Sequence, residues 1–81
     1  MIYTEQIFQE SYEVTLAMLE LRSKNKLFKI TSLKGELDTL YVYEGLDWTG
    51  RGEIKNSEIS GEIAAYQVFL HNYFNKEEQG R

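Results

Sequence analysis

The hydrophobic pattern of residues 7–21 is compatible with two different structures. Wound as an α-helix, at about 100° per residue, the segment divides its apolar residues into two opposite sets: Phe8, Tyr12, Leu16 and Leu19 against Ile7, Val14, Met18 and Leu21. As a β-strand, the segment places four apolar residues on one face: Tyr12, Val14, Leu16 and Met18. A β-bulge near Met18 then accommodates Leu19 and Leu21. Because a surface helix usually carries one apolar stripe, the pattern favours a strand, and a helix over residues 4–22 is the alternative.

Three further segments have the character of strands separated by turns. Residues 23–26 predict a turn, residues 27–33 a second strand, and residues 34–36 another turn. Residues 39–43 are rich in β-branched and aromatic side chains, which is typical of a third strand. On this strand we expect Leu40 and Val42 to face the core, and Tyr41 and Tyr43 to face outward. Glu44-Gly45 fits a tight hairpin, and the alternation over 46–54 predicts a weaker fourth strand.

The C-terminal part of the chain predicts an amphipathic helix. Apolar residues recur there at spacings of three and four: Ile59, Ile63, Tyr66, Leu70 and Tyr73. Asn56 or Ser57 can cap this helix, and Asn75 can end it. The predicted fold is therefore α+β, an antiparallel meander of three to four strands with one helix packed on one face. We expect a single domain over residues 1–75 and a polar tail over 76–81.

The composition argues against catalysis. The 81-residue chain has no cysteine and one histidine, His71, which we expect at the helix surface. No paired acid and base, nucleophile or metal-ligand spacing accompanies it, so we predict neither an enzyme nor a cofactor or metal site. Residues 1–5 lack the pattern of a signal peptide, and no apolar run approaches the roughly 20 residues that span a bilayer. These features predict a cytoplasmic protein.

The net charge of −4 is unevenly distributed. A basic segment over residues 22–34 lies between acidic segments on either side. Its cations can contact a phosphate backbone, which gives one functional hypothesis: a nucleic-acid-binding or regulatory module that uses Arg22, Lys24, Lys26 and Lys29.

A second hypothesis comes from the aromatic residues that follow the basic segment. Tyr41, Tyr43 and Trp48 are accompanied by four carboxylates, Glu36, Asp38, Glu44 and Asp47. Aromatic side chains often anchor interfaces, and surrounding carboxylates would suit a basic partner surface. The same aromatic residues could instead close the edge of the core or form a homodimer seam.

The segment Phe8-Gln9-Glu10-Ser11-Tyr12-Glu13-Val14-Thr15 resembles the first strand of the small uracil-DNA-glycosylase inhibitors of Bacillus phages. The resemblance implies a dimeric α+β DNA mimic that blocks the DNA-binding groove of a host repair enzyme. That family differs in being shorter, in having a helix where we predict the third strand, and in ending with a strand. Together the observations predict a small acidic interaction module of phage or mobile-element origin. It would block a host DNA- or RNA-handling protein by steric blockade and DNA mimicry, with homodimerisation as a further possibility.

Overall fold

The computed structural model describes residues 3–45 and 48–79, with side chains described at 4–45 and 54–76. These ranges form three helices, α1 (Tyr3–Ser23), α2 (Ile30–Gly45) and α3 (Trp48–Gln79). They contain no β-strand. The prediction of an α+β fold with a β-meander was therefore wrong, and the described chain is a helical bundle.

Helix α1 carries two apolar stripes but buries only one of them in the described structure, which is why the pattern misled. One stripe packs on α3, with Leu19 fully buried and Thr15 almost so. The other stripe is exposed at Val14 and Leu21. Strong helix formers over 16–21 favour this helix, and Arg22 complements the negative end of the helix dipole. The predicted first strand and its bulge near Met18 are therefore wrong.

A short turn connects α1 to α2, as predicted from the Asn-containing segment. Backbone hydrogen bonds from Lys24 N to Leu21 O (3.2 Å) and from Asn25 N to Arg22 O (3.1 Å) close the end of α1. The Asn25 side-chain oxygen accepts a hydrogen bond from Leu27 N at 2.8 Å, which is an Asx turn. The turn falls at residues 24–27, while Ser23 is still helical.

Helix α2 replaces two predicted strands and the predicted turn between them. Leu33, Leu37 and Leu40 are spaced four and three residues apart, and all three pack in or against the core. This helical stripe outweighs the strand propensity of residues 39–43, because burying apolar area stabilises more than the small propensity differences of exposed positions. The strands at 27–33 and 39–43 and the turn at 34–36 were therefore wrong.

Helix α3 contains the C-terminal helix predicted from the sequence, which is confirmed. It begins earlier than expected, at Trp48, so the fourth strand was wrong over 48–54; residues 46 and 47 lie outside the described chain. Gly52 interrupts the helix with φ 81° and ψ 168°, a conformation that only glycine adopts readily. At its other end α3 continues to Gln79, into the segment predicted as a polar tail.

The core lies along α3. It consists of six buried side chains: Leu19, Leu33, Leu37, Ile59, Ile63 and Tyr66. Helices α1 and α2 each pack on α3 rather than on each other. Phe28, from the connecting turn, covers one end of this core with edge-to-face contacts to Phe69 and Tyr73, at centroid distances of 6.4 and 6.3 Å.

Helices α1 and α3 approach each other closely at Gly61. A β-carbon at this position would lie 2.6 Å from the carbonyl oxygen of Phe8 and 2.9 Å from Cβ of Ser11. The Ser11 hydroxyl donates a hydrogen bond to the carbonyl oxygen of Glu58 at 2.6 Å, one turn earlier on α3. The missing side chain of Gly61 therefore allows the two helix backbones to meet.

Candidate partner-binding surface

The candidate surface is the side of α2 that points away from α3. Leu33 and Leu37 are buried against α3, and Leu40 is half-buried beside them. Residues on the opposite side of the helix, including Asp38 and Val42, are exposed. The core stripe thus fixes which side chains of α2 a partner can reach.

A three-residue network ties α2 to both other helices. The Arg22 guanidinium of α1 donates two hydrogen bonds to the Glu36 carboxylate of α2, at 2.7 and 2.8 Å. The Tyr66 hydroxyl of α3 donates a third, at 2.7 Å. The two-pronged geometry matches a guanidinium to a carboxylate and orients both groups. Among the described residues, this is the ion pair that links α1 to α2.

The electrostatics of this network follow from its geometry. Hydrogen bonding from Arg22 holds the pKa of Glu36 below its ordinary value, because it stabilises the ionised carboxylate. The bond to Glu36 likewise raises the pKa of Arg22. Burial, followed by the hydrogen bond to Glu36, raises the pKa of Tyr66 to about 12. At neutral pH the network therefore holds an ionised pair and a neutral phenol.

Two contacts fix the edge of α2 that is opposite Glu36. Gln67 Nε2 on α3 donates a hydrogen bond to the Tyr41 hydroxyl at 2.7 Å. The Lys34 ammonium lies 4.8 Å from the centroid of the Phe74 ring, a cation–π contact. Both contacts tie this edge of α2 to α3 and leave the outer side of α2 facing away from the bundle.

Three consecutive large side chains near the end of α2 are exposed. Tyr41, Val42 and Tyr43 retain 42, 63 and 46% of their accessible surface. Asp38 is exposed one turn before Val42, on the same side of the helix. Tyr41 and Tyr43 lie about 100° to either side of Val42, so they border this side of the helix at opposite edges. We call these four residues the α2 patch. Val42 was predicted to face the core with Leu40, but on a helix two residues apart point to nearly opposite sides.

The structure separates the carboxylates that the sequence analysis grouped together. Glu36 belongs to the network with Arg22, whereas Asp38 belongs to the α2 patch. Glu44 is half-buried, on the side of α2 that bears Leu37 and Leu40. Asp47 lies outside the described residues, and so does the side chain of Trp48. The described part of the acidic group thus faces several directions.

The basic residues of the alternative hypothesis are also divided. Lys24, Lys26 and Lys29 are exposed on the turn between α1 and α2. Arg22 is held by Glu36, so its charge is already matched within the chain. Leu27, with 85% of its surface exposed, lies among the lysines. Of the four predicted nucleic-acid-binding residues, three lysines in the segment between α1 and α2 therefore remain available for contact with a nucleic acid.

A shallow groove separates α1 from α2. Met18 of α1 and Leu40 of α2 line its sides, with Glu62 and Tyr66 of α3 between them. Partial burial raises the pKa of Glu62, because desolvation disfavours its charged form. Among the described residues Glu62 has no ion pair within 4.0 Å. Tyr66 and Glu62 were not predicted as site residues, because their placement depends on how three separate helices pack.

The remaining features to place are the single histidine, possible metal ligands and possible membrane-spanning helices. His71 is exposed, as predicted, and lies 2.9 Å from the Asn75 side-chain nitrogen. Within the same residues no three histidine, cysteine, aspartate or glutamate side chains cluster as metal ligands would. None of the described helices combines the length and apolar character needed to cross a bilayer.

Comparison with family models, with curated proteins and with solved structures finds no match for this chain.

Proposed function

We propose that this chain is a protein-interaction module that binds its partner through the α2 patch. The observation that carries the proposal is the exposed Val42 at the centre of the outer side of α2, with the exposed Tyr41 and Tyr43 at the two edges of that side. Tyrosines lose little conformational entropy on binding and are enriched among the residues that dominate interface energetics.

The geometry favours an interaction dominated by apolar and aromatic contact. Asp38 is the carboxylate that shares the exposed side with Val42, whereas Glu36 is matched by Arg22. A DNA mimic would need several unmatched carboxylates in phosphate-like positions. Blockade of a nucleic-acid-handling enzyme by mimicry stays a prediction, and salt dependence separates it from the apolar mode.

The test is affinity capture with the full chain as bait, from nuclease-treated bacterial lysate, comparing wild type with Val42→Asp. We expect a stoichiometric protein on the wild type that is absent from the variant. Leu27→Asp is the matched control, since it places the same residue at an apolar position that is also exposed. A protein retained equally by all three baits would contradict the assignment to the α2 patch.

A salt gradient applied to the captured complex then distinguishes the modes of binding. Apolar contact predicts little change in retention between about 0.1 and 0.5 M salt, whereas mimicry predicts release. Recovery of nucleic acid without nuclease, lost on Lys24→Glu/Lys26→Glu, would favour the alternative that uses the basic turn.

A further inference from the structure

The second apolar stripe of α1 is regularly spaced, half-buried at Ile7 and Ser11 and exposed from Val14 onward. Ile7, Ser11, Val14, Met18 and Leu21 follow one another at intervals of four and three residues. Val14 and Leu21 each retain 69% of their surface, and Met18 retains 44%. This is the spacing with which one helix pairs with another along a continuous seam. The opposite stripe packs on α3, and no helix of the described chain covers this seam.

The charges beside this stripe identify the second molecule. Glu10 lies beside the stripe near its beginning, Lys24 lies in the turn directly after the end of α1, and both are exposed. Within the described chain neither takes part in an ion pair. Two copies of α1 running antiparallel would place Glu10 of each copy beside Lys24 of the other. A parallel pair would leave Glu10 and Lys24 without these partners, because the flanking residues of one edge then face the other edge of the second helix.

The stripe is also complementary to itself in shape. In the antiparallel arrangement Val14 of each copy faces the partner subunit's Met18. Each large side chain therefore meets a smaller or a flexible one, as packing requires. Midway between Glu10 and Lys24 along the chain is Ala17, an exposed small residue that allows close approach. At the centre of the pair, Ala17 meets its own copy.

We propose that two copies of this chain form a dimer through the exposed stripe of α1, with the two α1 helices antiparallel. The seam from Ile7 to Leu21 is about 22 Å long, so the interface is small and we expect a weak dimer. Ile54, exposed beside Val14, extends the apolar surface. The α2 patch remains outside this seam, so the dimer would present two partner-binding surfaces.

Sedimentation of the full chain between about 1 and 200 µM tests for the dimer. We expect its mass to rise from monomer to dimer across this range. Val14→Glu should remain monomeric and helical, because position 14 is exposed and contributes little to the fold. A monomer at every concentration, or a dimer unaffected by Val14→Glu, would overturn the proposal. Val42→Asp should dimerise as wild type does, so the result is independent of the α2 patch.

Exchanging the two flanking charges tests the antiparallel orientation. Glu10→Lys alone and Lys24→Glu alone should each weaken the dimer about three- to tenfold, because two symmetric pairs are lost. The double variant should recover most of the affinity, since it rebuilds both pairs with reversed signs. Additive weakening in the double variant would exclude this pairing.

The absence of cysteine from the chain allows a direct check of the centre of the seam. Ala17→Cys should form a disulfide-linked dimer rapidly under mild oxidation, because the two copies of this position face each other. Glu20→Cys, on the outer side of the same helix and also exposed, is the control. Equal rates of cross-linking for the two variants would refute the arrangement.

Discussion

Gly61 lies where the backbones of α1 and α3 meet. Its replacement by alanine should have two opposing effects on the stability of the fold. In an isolated helix, alanine is more favourable than glycine by about 1 kcal/mol. In this bundle the added methyl carbon would lie 2.6 Å from the Phe8 carbonyl oxygen and 3.0 Å from the Tyr12 backbone nitrogen. Because both atoms belong to the backbone, no side-chain rotation relieves the overlap.

The clash should outweigh the gain in helix propensity. Forcing a methyl group into a packed contact costs about 1–3 kcal/mol. Moving α1 away would also stretch the 2.6 Å hydrogen bond from Ser11 to the Glu58 carbonyl, which contributes about 1 kcal/mol. After subtracting the propensity gain, we expect Gly61→Ala to lower the free energy of unfolding by about 2 kcal/mol. For a chain of this size, that lowers Tm by about 8–16 °C.

Gly35 provides a matched control within the same chain. It lies inside α2 and is exposed, and an added β-carbon would meet no atom within 4 Å. Gly35→Ala should therefore raise Tm by about 4–8 °C through helix propensity alone. Thermal and urea unfolding followed by far-ultraviolet circular dichroism would measure both variants. A Gly61→Ala protein at least as stable as wild type would refute the close approach of α1 and α3.

Three further predictions concern the core and the titrating groups. Leu33→Ala removes a fully buried side chain and should cost about 2–5 kcal/mol in urea unfolding, whereas Leu27→Ala at an exposed position should be nearly neutral. The pKa of Glu36 is lowered on folding, so its contribution is present above its ordinary pKa and is lost as pH falls through the folded value. The raised pKa of Glu62 has the opposite effect. Glu36→Gln should therefore flatten, and Glu62→Gln steepen, the rise in stability between about pH 3 and 6; the same slope in both variants would contradict these shifts. Tyr66→Phe should cost about 1 kcal/mol at pH 7. The wild type should lose stability as pH rises from about 10 to the Tyr66 pKa of about 12, because the tyrosine ionises more readily in the unfolded chain. Alkaline unfolding should show that Tyr66→Phe lacks this loss.

The two-sided pattern of α1 shows why the fold class was not predictable from periodicity alone. The sequence shows two opposite apolar stripes. Comparison with the single stripe of a typical surface helix led to the wrong prediction of a strand. The structure buries Leu19 and leaves Val14 exposed on the same helix. A pattern with two stripes is ambiguous until the number of neighbours on each side is known, and one sequence does not supply that number. The single stripe of α3 had no such ambiguity, and its helix was predicted.

The candidate site was predictable only in part. Exposure of Tyr41 and Tyr43 agrees with the prediction, although it was derived from strand alternation and the structure produces it with a helix. Exposure of Val42 would have followed from a helical wheel. The pairing of Arg22 with Glu36 depends on the crossing of α1 and α2 over α3, which no local pattern encodes.

The pairing of α1 with α3 also constrains the order in which the chain can fold. The contact between Ser11 and Glu58 joins positions 47 residues apart, and closing so long a loop costs roughly 3 kcal/mol in chain entropy. During synthesis, α1 would emerge well before the segment that buries it. Its nascent helix would therefore carry two unprotected apolar stripes until α3 has been synthesised, and one of them remains exposed afterwards.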